Sequence, residues 1–302
     1  MFDFLLEEKN FSSLRRYIDF LSDLPDALTE IKRFSDSIQR TGHVLVSPPD
    51  AQTLTWTAVA NESRWREIVR VVPALGNMGR QLVGQISLFL REFEQVAREA
   101  SGPARRQLIG DVDPLHFTPI NVGSQGTNRP PDVLYLITRL CLQLDLYAKK
   151  AMYFKARIVE VSQTIHRVFA RFIETLALRL CACDAPVSKI EAYYVMGRIG
   201  LPNMQYNPAG HYTQEQRREK AREHLRVLDG LYANAISASN NLSDFCHRLN
   251  YFLTQVKREL QANDRHQSLR RARSSFLQIA HSLEELGRMA DALARMSLRL
   301  KP

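Results

Sequence analysis

Residues 132–183 read DVLYLITRLCLQLDLYAKKAMYFKARIVEVSQTIHRVFARFIETLALRLCAC, 52 residues without a glycine or a proline. Apolar side chains recur at alternating spacings of four and three: Val133, Ile137, Leu140, Leu144, Tyr147, Ala151, Phe154, Ile158, Val161, Ile165, Val168 and Phe172. That rhythm returns to one side of an α-helix every two turns, whereas a strand would alternate in twos. No charge interrupts the seam. Residues 211–263, broken only by Gly230, carry a second seam of the same kind: Ala221, Leu225, Leu228, Tyr232, Ala235, Ser239, Leu242, Cys246, Leu249, Leu253, Val256 and Leu260.

The helix breakers lie between such runs. All prolines except Pro25, Pro73 and Pro302 fall in the windows 41–55, 101–131 and 184–212, where most of the glycines also lie. Shorter seams fill the rest of the chain. Leu14, Tyr17 and Leu21 lead one near the N-terminus; Trp65, Ile68, Val72, Leu75, Gly79, Leu82 and Ile86 another; Leu269, Ala272, Phe276, Ile279, Leu283 and Leu286 the last. Past Leu260 the second seam meets Asn263, Gln267 and Arg270 and then restarts out of phase at Leu269, which places a turn at Asn263–His266. Asp23 and Pro25 fit an N-cap and first turn of a new helix.

The spacing thus predicts helices over 4–22, 23–40, 56–100, 132–183, 187–198, 213–262 and 267–300, with loops at 41–55, 101–131 and 199–212. At 1.5 Å per residue the two long helices would each reach about 75 Å, against a radius of gyration of about 19 Å for a globule of this length. The expected fold is all-α: an elongated antiparallel bundle of about five helices, two of them about 50 residues long, forming a single domain over 1–302. Apolar residues beside the seams, such as Leu134, Leu136, Cys141 and Ala148, mean that each long helix touches more than one partner.

Composition agrees with a folded chain: 302 residues, 45% hydrophobic and 24% charged. No window of eighteen residues is both apolar and uncharged, so no conventional spanning helix is expected. The start, MFDFLLEEKN, lacks a basic lead before its apolar residues; the protein is expected to be cytoplasmic, or exported without a conventional signal peptide. Its Phe2, Phe4, Leu5, Leu6 and Phe11 are expected to dock on the bundle, since Asp3, Glu7 and Glu8 would be repelled by anionic lipid. Four cysteines are too few for a disulfide scaffold and suit idle thiols in a reducing compartment.

Signs of chemistry are missing. There is no Walker A loop, no G-x-G-x-x-G, no G-x-S-x-G, no Glu-x-x-His and no Asp-rich pair of the kind that holds magnesium diphosphate between helices. Asp244 with His247, and His281 with Glu284, would each supply two metal ligands but find no third; Cys181 and Cys183 form a C-x-C without a second pair. No enzyme activity, cofactor or metal is expected.

What the chain offers is surface. The net charge of +9 is uneven: residues 1–60 hold six Lys/Arg against nine Asp/Glu, residues 265–302 eight against three. The acid-free run RHQSLRRAR (265–273) makes Arg265, Arg270, Arg271 and Arg273 the candidate patch for an anion or a partner; the competing expectation is pairing with the acidic N-terminal helices. Two uncharged loop stretches carry Phe117 and Ile120 in one and Met204, Tyr206 and Tyr212 in the other. Such residues either contact a partner or a lipid interface, or fold over the open end of the bundle, which is the preferred reading.

Three functions fit these surfaces. The first is a non-enzymatic interaction or scaffold protein acting through its ends or its basic C-terminal helix, with protein partners and a homo- or hetero-oligomer in view. The alternative is a soluble subunit of an α-helical pore-forming or membrane-remodelling assembly, suggested by the uncharged loops and by Ala233, Ala235, Ala238 and Ser239, small residues that allow close helix approach. Nucleic-acid binding comes third, because no aromatics are interleaved with the arginines.

Overall fold

A computed structural model describes residues 12–23, 26, 48–99, 107–120, 132–172, 174–175 and 214–295. They are helical, with no strand among them and one isolated antiparallel bridge, Leu108 to Ser268. We number the α-helices α1 (12–23), α2 (Pro48–Glu99), α3 (Val133–Thr164), α4 (Gln214–Gln261) and α5 (Leu269–Arg295). The chain forms two compact units, one of Met1–Ile68 with Arg157–Ser243 and one of Val69–Ala156 with Asp244–Pro302. Helices α2, α3 and α4 contribute to both.

In the first unit α1 buries Leu14, Tyr17, Ile18 and Leu21. Tyr17 and Phe20 meet Phe169 edge-on, with ring centroids 5.6 and 5.1 Å away. Arg64 pairs with Glu160 at 3.3 Å and Arg157 with Glu67 at 3.1 Å, which sets α2 and α3 antiparallel here. This core is partly polar. Thr57, Asn61 and Ser239 are buried and return hydrogen bonds to carbonyls four residues back, at 2.7, 2.9 and 2.9 Å. The Asn61 Oδ1 and the Tyr17 hydroxyl are buried without a partner among the described residues, and burial pushes the Tyr17 hydroxyl far above its ordinary pKa.

The second unit is a four-helix arrangement. Glu94 opposite Arg273 and Arg80 opposite Asp291 run α2 and α5 antiparallel; Asp132 opposite Arg265 and Asp145 opposite Lys257 do the same for α3 and the α4 end. Its core is aromatic. Phe93 packs edge-on against Phe276 at 4.6 Å, and Phe89 stacks on Phe117 at 5.4 Å. At one crossing α2 has no side chains: a Cβ on Gly76 would lie 2.7 Å from Ala294 Cα, and one on Gly79 would lie 2.5 Å from the Tyr147 hydroxyl and 2.7 Å from Ala290 Cβ.

The turn after α4 falls where the seam breaks, and α5 folds back. Asn263 donates through Nδ2 to the Glu259 carbonyl at 2.8 Å, absorbing a helix-end acceptor, and Asp264 Oδ1 accepts from the His266 N–H at 2.8 Å. Residues 107–110 then join the turn: Ile109 N–H donates to Gln267 O, Gly110 N–H to Arg265 O and Leu269 N–H to Gln107 O, at 3.0, 3.1 and 3.2 Å.

Four expectations need correction. Helix α2 starts at Pro48, so the loop expected at 41–55 ends early and the helix expected from 56 gains a turn or more. The prolines that mark a loop in sequence sit in a first turn, where an absent N–H costs nothing. The helix expected over 132–183 is α-helical only to Thr164; Ile165–Ala170 form a π-helix, and residues 171–172 and 174–175 are helical again. The extra residue in a π turn slips the seam by one, so Phe169 is buried in place of Val168. Among the described residues α2 has 52 residues and α4 has 48. Ala233, grouped with the small residues for close approach, is exposed, whereas Ala235, Ala238 and Ser239 are buried.

The other boundaries agree within two residues where they are described. The restart at Asp23–Pro25, the short helix 187–198, the loop 199–212, Cys181 and Cys183 lie outside the described residues, apart from Asp23 itself, which is helical.

Candidate interaction surfaces

The arginine patch is divided by the fold. Arg273, on the second turn of α5, places Nε and Nη2 each 2.6 Å from the two carboxylate oxygens of Glu94 on α2. This two-point hydrogen bond, joined by Arg98, holds the Glu94 carboxyl below its ordinary pKa and raises that of Arg273. Arg265 reaches Asp132 Oδ2 at 2.9 Å while Asp132 Oδ1 accepts the Tyr135 N–H at 2.6 Å. One carboxylate thus caps α3 and clasps it to the α4–α5 turn. The internal partners are Glu94 and Asp132, in the patch's own unit. Arg265, Arg270 and Arg271 are exposed, and of the four only Arg270 and Arg271 have no ion-pair partner among the described residues.

The Glu94 pair carries a pH dependence. A carboxyl whose pKa is lower folded than unfolded adds stability above its unfolded pKa, and the stability fades as pH falls through the folded one. Scanning calorimetry should show Glu94→Gln melting about 2 °C lower than the parent at pH 7. The gap should narrow as the pH falls from about 5 through the ordinary carboxylate range and below it. Parallel curves over that range would remove the pair from the stability of the fold.

Of the loop candidates, Phe117 is buried against Phe89 and Phe93 and Ile120 is half-buried; Met204, Tyr206 and Tyr212 lie outside the described residues. Phe117 takes the capping role. Thr118 holds the segment down, its N–H and hydroxyl donating to the Glu92 carboxylate at 3.0 and 2.5 Å. Asp111 and Asp113 accept the N–H groups of Leu108 and Leu115 at 3.2 and 2.9 Å, closing local turns.

No group of three or more metal-binding side chains occurs among the described residues, and Asp244, His247, His281 and Glu284 are exposed. Burial pushes the Cys141 thiol up to about 11 and the Cys246 thiol up to about 12, so neither supplies a nucleophilic thiolate near neutrality.

One surface escaped the sequence reading. Tyr135, Leu142, Leu146 and Tyr153, on the side of α3 away from its buried seam, are 40 to 52% exposed. Their spacings of seven, four and seven were the available signal.

The fold defines the class: an all-α antiparallel helical bundle. Solved structures that share it include two from one organism. XaxA from Xenorhabdus nematophila superposes with a TM-score of 0.57 over 95% of this chain and 96% of that one, at 12% identity. A chain of the XaxAB pore complex from the same organism gives 0.58 over 94% and 95%, at 10% identity. The likeness is one of fold. No protein-family model matches the chain, and neither does any curated protein sequence.

Proposed function

We propose that the chain is a non-enzymatic subunit of an α-helical pore-forming or membrane-remodelling assembly. The observation that carries this reading is the fold shared along nearly the whole of both chains with a component of a pore complex. Two further features support it. No helix among the described residues is long and apolar enough to cross a membrane, so membrane action calls for assembly or for a change of conformation. The first unit also holds polar atoms in its core: the Asn61 Oδ1 and the Tyr17 hydroxyl are buried and find no partner among the described residues, which does not favour the closed state.

Dye-loaded vesicles of phosphatidylcholine with about 30 mol% phosphatidylserine test this. The chain should float with the vesicles in high salt, release the dye and form ring-shaped or clustered particles visible by electron microscopy. Neither flotation nor release, with a monomer on sedimentation at every concentration, would overturn the proposal. The interaction or scaffold reading is the second, favoured by the exposed stripe on α3; it expects partner binding without dye release.

A further inference from the structure

We propose that the exposed stripe of α3 is a helix-docking seam, and that its occupant is an amphipathic helix of a different protein chain, apolar in the middle and flanked by Asp and Glu. The inference rests on the reading of this chain as a subunit of an assembly and names the chemistry of its lateral neighbour.

The shape of the stripe selects a helix. At about 100° per residue, Tyr135, Leu142, Leu146 and Tyr153 fall within about 20° of one line along α3. The line runs for about 27 Å. Arg139 lies about 40° to one side with Lys150 just beyond, and Lys149 about 40° to the other side. A helix lying in a lipid interface presents a broad apolar sector, whereas a strip this narrow matches the seam that one helix offers another. The stripe is separate from the buried seam of the same helix, and Leu142 and Leu146 at its middle are about half exposed.

The charge selects the partner. Between Val133 and Val159 the only acid is Asp145, and both its oxygens are held by Lys257 Nζ at 2.7 and 2.8 Å. Lys149 and Lys150 are exposed, with no ion-pair partner among the described residues. The Arg139 guanidinium lies 5.6 Å from the Tyr135 ring centroid at the rim. Charges flanking a helical seam decide which helix pairs with it. Two copies of this stripe face to face would set the basic flanks against each other, so self-pairing is disfavoured and acidic flanks are selected.

The test uses the full chain and two labelled synthetic peptides of three heptads, with leucine at the seam and either Glu or Lys at the flanks. Fluorescence anisotropy should show the Glu-flanked peptide binding at least about tenfold more tightly than the Lys-flanked one. Lys149→Glu with Lys150→Glu should reverse that order, and Leu142→Ser with Leu146→Ser should abolish both, while circular dichroism stays at the parent value because all four positions are exposed. An unreversed preference, or binding that ignores the leucines, overturns the seam. So does sedimentation showing a dimer that the leucine changes dissolve, which would make the occupant a second copy. Flotation on anionic vesicles that is lost with the same leucines, without peptide binding, would make it lipid. If the seam fails while the chain still releases vesicle contents, the assembly reading survives it; if peptides bind as expected but no release or assembly occurs, the assembly reading fails alone.

Discussion

Gly76→Ala is expected to destabilise the second unit by about 3 kcal/mol, although alanine is worth up to about 1 kcal/mol more than glycine in an ordinary helix. The cause is position. A Cβ at residue 76 would sit 2.7 Å from Ala294 Cα and 2.8 Å from the Leu293 carbonyl carbon, and backbone can yield only by moving all of α5. Gly79→Ala should cost less, since the nearest atom is the hydroxyl at the end of the Tyr147 side chain, 2.5 Å away. That hydroxyl is buried without a hydrogen-bond partner, so Tyr147→Phe should itself be harmless and should recover part of the Gly79→Ala loss. Gly84 and Gly230 are the controls: a Cβ at either meets nothing within 4 Å, and alanine there should stabilise. Urea unfolding of the four glycine variants measures the contrast. Equal effects at Gly76 and Gly84 would mean that α2 and α5 do not approach as closely as described.

The sequence foreshadows what depends on neighbours within a few turns. The seams of α3 and α4 are legible because each position is set by its own helix, and the return of α5 is legible because Asn263, Gln267 and Arg270 interrupt the rhythm. Contacts between distant segments leave no such trace. Gly79 reads as one slot in a seam, yet its role depends on Tyr147 and Ala290. Arg273 reads as part of a basic patch, but its charge is used by Glu94, 179 positions away. The π-helix is hidden for a related reason: Val168 fits the local rhythm, and only the aromatic pocket formed with Tyr17 and Phe20 accounts for Phe169 being the residue taken inward. The stripe on α3 leaves only a sparse second period, Tyr135, Leu142, Leu146 and Tyr153, in a helix whose denser first period already accounts for its burial.

Phe93→Ala should cost about 3–5 kcal/mol, the largest loss expected from any single truncation in the second unit. Phe93 is 1% exposed and touches three rings: Phe276 edge-on at 4.6 Å, Phe89 at 6.3 Å and Phe117 at 6.5 Å. It joins α2 to α5 and both to the loop that follows α2. Phe117→Ala should cost somewhat less, about 3 kcal/mol, because that ring meets two others, Phe89 and Phe93, where Phe93 meets three. The pair separates the two roles open to the loop. If Phe117 were a tip held out for a partner, its truncation would leave stability unchanged, as Leu115→Ala should, since Leu115 is 61% exposed. If it closes the end of the core, truncation should lower the unfolding free energy and speed amide exchange at Ile109 and Gly110, whose N–H groups donate to the α4–α5 turn. Stability carries over to that turn because Gln107, Ile109 and Gly110 share backbone hydrogen bonds with Arg265, Gln267 and Leu269. Loosening Phe117 should therefore also raise exchange at Leu269, the first residue of α5, while the π-helical segment around Phe169 keeps the parent rate.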